Sequence, residues 1–285
     1  MCVSPIFLRG LYVPCGKCYE CRNSKAIEWS YRICDEVGLY ESPSCMVTLT
    51  YNDVHLPPDR SLVRSDLSAF IKRLRDRVAP TRLRFFACGE YGALHDRPHF
   101  HIIIFGWHPN DLQFFRKDKD GYDLFLSPLI FSCWSRRKKV VIAGKKKSVR
   151  DSFGFHSVVK GIDQRVALYV SLYFQKSRKS YPGRVAPFRL MSRNPGIGFG
   201  AVNPRSLDSD RIYRDGRSIP IPRYYCSVLS RLSVGFDNAV KLIRSKRLAR
   251  LRRKSSFFPE FFDFQLHLNS KKIIMKKNPI LFFKK

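Results

Sequence analysis

At 285 residues with 44% hydrophobic positions, the chain is long enough to bury a sizeable core as one domain or two small ones. Its 53 Lys and Arg against 23 Asp and Glu leave a formal charge of +30, far more than solubility demands, so the expected partner is a polyanion and nucleic acid is the first candidate. No stretch approaches the roughly 20 apolar residues of a spanning helix, and Ser4, Pro5 and Arg9 interrupt the start, so neither a membrane protein nor a secreted one is expected.

The nine cysteines are an odd number and fit a reducing compartment better than a disulfide framework. Three of them, Cys15, Cys18 and Cys21, stand at C-x2-C-x2-C, a spacing that lets thiolates converge on a structural metal, zinc being the candidate. A structural zinc site takes four ligands, and either Cys34 or Cys2 could supply the fourth; the plainer alternative is free buried thiols. Ala26, Trp29, Ile33 and Val37 then recur at helical steps and give a helix one apolar face, with Arg22, Lys25 and Arg32 elsewhere on it.

Ser44 to Tyr51 is rich in β-branched and apolar residues and reads as a strand closed by the turn signal Asn52-Asp53. Ser65 can cap the following helix, whose stripe of Leu67, Phe70, Ile71, Leu74 and Val78 runs until Pro80 stops it. A second strand, Leu83 to Tyr91, places Arg84, Phe86, Cys88 and Glu90 on one face. Gly92 ends it, and a turn with His95 and Asp96 leads into Arg97 to Gly106, a strand that opens with His99 and His101. Residues at i and i+2 of a strand share a face, so the two imidazoles project together and can hold one metal ion. If the two strands pair as a hairpin, Glu90 reaches the same place. Taken alone, the histidines could equally be a packed pair and Glu90 a solvated carboxylate.

From Pro109 to Arg150 the sequence is less regular. It carries the basic clusters Arg136, Arg137, Lys138, Lys139 and Lys145, Lys146, Lys147, Arg150, which read as a strand-turn pair offering charge to phosphates or as a solvated loop. Asp163 to Lys179 holds no Gly or Pro and is helical in period. At about 100° per residue Tyr173 lies about 40° from Tyr169, and Lys176 about 20° on its other side, one narrow stripe. Ala167, Val170 and Phe174 form a separate apolar side for packing on the sheet. After Pro182 the segments Met191 to Gly198 and Ile219 to Tyr225 are turn-rich and suit surface connections. From Lys241 to Lys254 eight of fourteen residues are Lys or Arg, with Leu242, Ile243, Leu248 and Leu251 interspersed, which reads as a basic amphipathic helix. The expected divisions are a Cys-containing segment and helix over 1–43, a central domain over 44–236, and a basic helix and tail over 237–285.

Two imidazoles and one carboxylate leave open positions on a divalent ion, which can polarise a phosphoryl oxygen. A tyrosine held near that phosphate becomes a competent nucleophile. Its product, a phosphotyrosine ester, conserves the energy of the cleaved linkage, and a second tyrosine one turn away suits a cycle that opens and closes a strand.

In its ordered motifs the sequence resembles the HUH endonucleases, and most closely the replication initiators of gokushovirus-type microviruses. The resemblance rests on Pro14-Cys15-Gly16-Lys17-Cys18 with Cys21-Arg22, Thr48-Leu49-Thr50-Tyr51, Gly89-Glu90-Tyr91-Gly92 and Arg97-Pro98-His99-Phe100-His101. It continues through the tyrosine helix to Pro195-Gly196-Ile197-Gly198 and Pro222-Arg223-Tyr224-Tyr225, about three quarters of the chain. The resemblance implies an α+β domain with a central antiparallel sheet flanked by helices. It also implies Mg2+ or Mn2+ on His99, His101 and a third ligand, where Glu90 competes with His95 and Asp96. Tyr169 and Tyr173 become nucleophiles and Lys176 their accompanying lysine. The implied activity is nicking and rejoining at the origin of a circular genome to start rolling-circle replication in the host bacterial cytoplasm. The implied partners are single-stranded and replicative-form viral DNA together with the host helicase and polymerase. Two other readings compete: a non-catalytic single-stranded nucleic-acid-binding or packaging protein with a structural zinc, and a metal-independent phosphoesterase. The second would want a further histidine pair, which His55, His108, His156 and His267 do not provide.

Overall fold

The computed structural model describes residues 2–92, 95–142, 145–176, 181–202, 211–214, 216–231 and 235–257, without the side chains of 142, 173–176, 214, 217, 237 and 251–257. The first elements are β1 (Ile6–Leu8), β2 (Leu11–Val13) and α1 (Tyr19–Val37). Next come β3 (Cys45–Tyr51), α2 (Arg64–Val78), β4 (Arg84–Tyr91), β5 (Pro98–Phe105), β6 (Gln113–Lys117), β7 (Asp123–Leu126) and α3 (Pro128–Cys133). They are followed by β8 (Ser135–Ile142), β9 (Lys145–Ser152), β10 (Gly154–Lys160), α4 (Gln164–Lys176) and β11 (Phe188–Met191). The described chain closes with β12 (Arg211–Arg214), β13 (Arg217–Pro220), α5 (Arg223–Leu229) and α6 (Phe236–Phe257). Two compact units result, one of residues 33–200 and one of residues 1–32 with 201–285.

The unit of residues 33–200 is built on a seven-stranded sheet in the order β11-β4-β5-β3-β10-β7-β6, antiparallel throughout. This is the expected α+β architecture. Ile102, Ile103 and Ile104 are all buried because helices cover both faces of β5, which is why its sequence runs apolar without alternation. On one face Val47, Leu49, Tyr51, Phe100, Ile102 and Ile104 pack with Leu67, Phe70, Ile71 and Leu74 of α2 and with Ile130, Cys133 and Trp134 at α3. Emptying the place of a buried Phe100 by Phe→Ala would cost about 3–5 kcal/mol. The other face is covered at β4 by α4, where the Cys88 thiol reaches the Val170 carbonyl at 3.8 Å and Val166, Ala167 and Val170 are buried. Gly106 ends β5 in the left-handed region at φ +61°, where a Cβ would sit 2.2 Å from the Tyr40 ring.

Some sequence expectations change here. Ser65 does not cap α2: the cap position is Val63, with no side-chain bond, and Ser65 already lies in the first turn. The stretch from 109 to 150, expected to be irregular, contains β6, β7 and α3. Ser127 caps α3 by accepting the Ile130 N–H at 3.1 Å, while Asp111 accepts from the Ser127 hydroxyl and the Leu129 N–H.

In the other unit β1 and β2 form a hairpin, and α6 lies against β2, where the Ser245 hydroxyl accepts the Tyr12 N–H at 2.7 Å. Ile221, Tyr225, Cys226 and Leu229 pack with Phe236 and Val240 of α6. Residues 219–225 are therefore no surface connection: Ile219, Ile221 and Tyr225 are buried and Pro222 opens α5. On α6 the expected apolar set also fails, since Leu242 and Ile243 are exposed; the buried face is Phe236, Val240 and Leu248 at multiples of four. Arg244 falls on the same face and donates to the Ile221 carbonyl at 2.7 Å. Arg32 is buried with its guanidinium 4.0 Å from the Trp29 ring and 4.4 Å from that of Tyr224. Leu251's side chain and the tail from 258 onward lie outside the described residues. Among the described residues no helix is long and apolar enough to cross a membrane.

Candidate active site

Strands β4 and β5 pair in the register Glu90↔His99 and Cys88↔His101, and β3 pairs with β5 as Thr48↔His101 and Thr50↔His99. Directly opposed residues of antiparallel strands share a face. One face therefore carries Cys88 and Glu90, then His101 and His99, then Thr48 and Thr50, side by side. Glu90 Oε1 lies 2.7 Å from His99 Nε2 and 3.2 Å from His101 Nε2. The ligand atoms of Glu90, His99 and His101 all fall within 4.8 Å of one another, a group that could hold a metal ion. Of the three candidates for the third ligand, it is Glu90 that converges with the imidazoles. His95 is exposed, with its carbonyl accepting from Arg60 at 2.9 Å, and Asp96 is not part of the group.

The far side of each ring is also held. His99 Nδ1 donates to the Arg97 carbonyl at 3.0 Å, and Thr48 Oγ1 lies 3.1 Å from His101 Nδ1. Both Nε2 atoms are thereby turned toward Glu90, as in metal sites where a partner on Nδ1 fixes ring and tautomer. Arg97 is anchored in turn by donating to the Tyr51 carbonyl at 2.9 Å and by pairing with Asp53. Thr48 and Arg97 carry these positioning contacts without having been singled out as site residues; the i, i+2 spacing of Thr48 and Thr50 on the neighbouring strand is the signal that could have found Thr48.

Glu90 and His101 are almost fully buried, 5% and 4% exposed. Burial alone would raise the Glu90 carboxyl, but its bonds to His101 and His99 and their charge outweigh that and hold it below the usual range. Burial would likewise lower His99, yet the Glu90 carboxylate keeps its imidazole above the ordinary histidine value. A buried carboxylate whose partners are two imidazoles is a donor set that a divalent cation can take over by displacing protons.

Tyr169 on α4 meets this group: its ring centroid is 5.6 Å from that of His101, at 79°. The helix begins where Asp163 accepts the Val166 N–H at 2.8 Å, and Ala167 and Val170 face the sheet, which leaves Tyr169 half-buried beside the histidines. Tyr173 and Lys176 belong to the same helix, one and two turns on. Their side chains, like that of Phe174, lie outside the described residues.

The basic cluster forms a hairpin, β8 with β9, in which Arg137 stands opposite Arg150, Val140 opposite Lys147, Val141 opposite Lys146 and Ile142 opposite Lys145. Arg136, Arg137, Lys138, Lys139, Lys145, Lys146 and Lys147 are all exposed. Arg136 pairs with Asp151 at 3.1 Å, and the same carboxylate meets His55 at 2.9 Å. Like charges directly opposed on strands, such as Arg137 and Arg150, are unfavourable without a counter-charge. The thiols of Cys15, Cys18 and Cys21 come together with that of Cys2. Cys34 does not join them; its thiol donates to Gln164 Oε1 at 2.9 Å.

The family model for the replication-associated protein ORF2/gene II protein matches residues 44–178, from the edge of β3 through α4. The chain is similar to replication-associated protein VP4 of Bdellovibrio phage phiMH2K, 26% identical over 266 residues, which is 88% of this chain and 79% of that protein. It is also similar to replication-associated protein ORF2 of Spiroplasma virus 4, 28% identical over 71% of this chain and 60% of that one. A third relative, replication-associated protein ORF4 of Chlamydia phage 1, is 28% identical over 77% of this chain and 54% of its own length. For the last two, then, the match spans less than two thirds of the relative. No solved structure matches the chain.

Proposed function

The chain belongs to the replication-associated proteins of the ORF2/gene II protein family, and from that premise we propose that it initiates replication of a small phage genome by nicking one strand at the origin. The observation that carries the reading is the convergence of Glu90, His99 and His101 on one sheet face with the Tyr169 ring 5.6 Å from His101.

In the reaction the Tyr169 hydroxyl oxygen attacks the scissile phosphorus. A phosphorus–oxygen bond to tyrosine forms, the bond to the 3′ oxygen breaks, the phenol gives up its proton, and the departing 3′ hydroxyl takes one up. The 5′-phosphotyrosine keeps the bond energy, so attack by a 3′ hydroxyl reverses the step and rejoins the strand without a nucleotide triphosphate. Tyr173, one helical turn on, is positioned in sequence to serve the second exchange, and Lys176 to offset phosphate charge. Mg2+ or Mn2+ on Glu90, His99 and His101 would supply Lewis-acid polarisation of the phosphoryl oxygen. Thr48 and Arg97 keep the imidazoles aimed, and α4 keeps the tyrosine beside them, so the chain spends little reorganisation on bringing nucleophile and phosphate together. The β8–β9 hairpin holds the strand by its phosphates, with Arg136, Arg137, Lys138, Lys139, Lys145, Lys146 and Lys147 as contacts. Single-stranded and replicative-form viral DNA are the substrates, the host bacterial cytoplasm the place of action, and host helicase and polymerase the enzymes that continue from the free 3′ end.

The test is cleavage of an end-labelled viral origin oligonucleotide. Wild type with Mn2+ cuts at one position. His99→Ala, His101→Ala and wild type in EDTA do not. Normal cutting by both variants in EDTA contradicts the metal assignment.

A further inference from the structure

We infer that Cys2, Cys15, Cys18 and Cys21 form a second, structural metal centre that takes one zinc ion as a closed tetrathiolate. Their four sulfurs all lie within 4.8 Å of one another, with Cys15 to Cys21 at 3.9 Å and Cys2 to Cys18 at 4.0 Å. A tetrahedral zinc with Zn–S bonds of about 2.3 Å requires sulfur–sulfur edges of about 3.8 Å. These separations are close to that edge and about twice the 2.05 Å of a disulfide, and all four cysteines are free. They also argue against an iron–sulfur cluster, which binds its four thiolates on four separate irons and spreads them wider than any pair here.

The backbone around the sulfurs is arranged for charge. The N–H of Cys15 points at the Cys2 sulfur at 3.3 Å, that of Cys18 at the Cys15 sulfur at 3.3 Å, and that of Cys21 at the Cys18 sulfur at 3.4 Å. Amide donors aimed at sulfur stabilise thiolates more than thiols. The turn that makes this possible passes through Gly16 at φ +71°, a conformation L side chains rarely take. The chain's other buried cysteines behave differently: Cys45 and Cys133 belong to the apolar core between β3, α2 and α3, and Cys226 to that between α5 and α6. Cys15, Cys18 and Cys21 are only partly buried, so hydrophobic packing does not account for their assembly.

Four thiolates leave no open position, which makes the centre structural. It ties the start of the chain, across the β1–β2 hairpin, to the first turn of α1. Soft sulfur selects zinc, whereas the oxygen and imidazole ligands of Glu90, His99 and His101 suit Mg2+ or Mn2+, so the two centres load independently. The inference does not depend on the nicking activity.

The full chain, produced with zinc in the medium and dialysed against EDTA, should retain about one zinc per molecule by elemental mass spectrometry. Cys2→Ser and Cys18→Ser should lose it, while Cys34→Ser and the double variant His99→Ala/His101→Ala keep it. Because a serine variant can also misfold, wild type grown with cobalt is the second measurement: it should show the sulfur-to-cobalt charge-transfer band and tetrahedral d–d bands. Retention of zinc by Cys2→Ser with loss in Cys34→Ser overturns the ligand set. Wild type that carries iron and inorganic sulfide, or neither zinc nor the cobalt bands, overturns the site.

Discussion

The Tyr169 ring stands edge-on to the His101 ring, 5.6 Å between centroids, and so brings a helix hydroxyl to the face where two histidines and Glu90 meet. Replacing the tyrosine by phenylalanine keeps the ring contact and removes only the hydroxyl. Tyr169→Phe should unfold within about 0.5 kcal/mol of wild type in urea, yet lose at least about a hundredfold in single-turnover cleavage of the origin strand. Tyr169→Ala, which also removes the aromatic pair, should in addition lose about 0.5–1.5 kcal/mol of stability.

An ion bound only by the folded site stabilises the fold by mass action. At about 100 times its dissociation constant Mn2+ should add about 2.7 kcal/mol, seen as a rise in thermal midpoint that EDTA reverses. His101→Ala should abolish the rise. Thr48→Val, which leaves every ligand in place but removes the partner of His101 Nδ1, should weaken Mn2+ binding by about 10- to 100-fold in calorimetric titration. Equal affinity in Thr48→Val and wild type would mean that Thr48 does not position the ring.

The opposed cations of β8 and β9 give a salt-dependence prediction. Each lysine neutralising a phosphate of a single strand contributes about 0.7 to the slope of log affinity against log salt. Replacing Lys145, Lys146 and Lys147 by Ala should lower that slope by about 2 and weaken binding alike for origin and non-origin oligonucleotides. An unchanged slope by fluorescence anisotropy would remove the hairpin from the DNA contact.

His156 makes one part of stability pH-dependent. Burial holds its imidazole below the ordinary histidine range despite the charge of Asp111, while its Nε2 accepts the Ser127 N–H at 2.8 Å. Since the folded pKa is depressed, the unfolded chain binds the proton first as pH falls. The contribution is therefore complete above about 6.5 and is lost as pH drops through the folded value. Urea midpoints compared at pH values of about 7 and 5 should fall more for wild type than for His156→Gln. Equal falls would exclude His156 as the cause.

Period-2 patterning made the heart of the site legible in the sequence. His99 and His101 at i and i+2, and Glu90 before a short turn, meet because β4 and β5 pair in the register a hairpin of that length allows. The competition among Glu90, His95 and Asp96 could not be decided that way, since it depends on the path of the turn itself. Local pattern was also silent on the fourth cysteine of the N-terminal cluster, because Cys2 and Cys34 are both within reach of the motif along the chain. It is the separate engagement of Cys34 with Gln164 that distinguishes them. On α6 the abundance of Lys and Arg obscured the buried face, in which Arg244 takes a core-facing position by finding the Ile221 carbonyl. The proline-rich run before α5 reads as a loop by composition, yet Ile219, Ile221 and Tyr225 are drawn inside by tertiary packing.

The most direct test of nicking through tyrosine is to trap the protein–DNA adduct on a single-stranded origin substrate, digest it, and locate the modified residue by fragmentation mass spectrometry. The predicted result is a 5′-phosphonucleotide on the α4 peptide at Tyr169, shifted to Tyr173 or absent in Tyr169→Phe, and no adduct in the double variant Tyr169→Phe/Tyr173→Phe. An adduct of undiminished yield in that double variant, or one mapped to a residue outside α4, would contradict it.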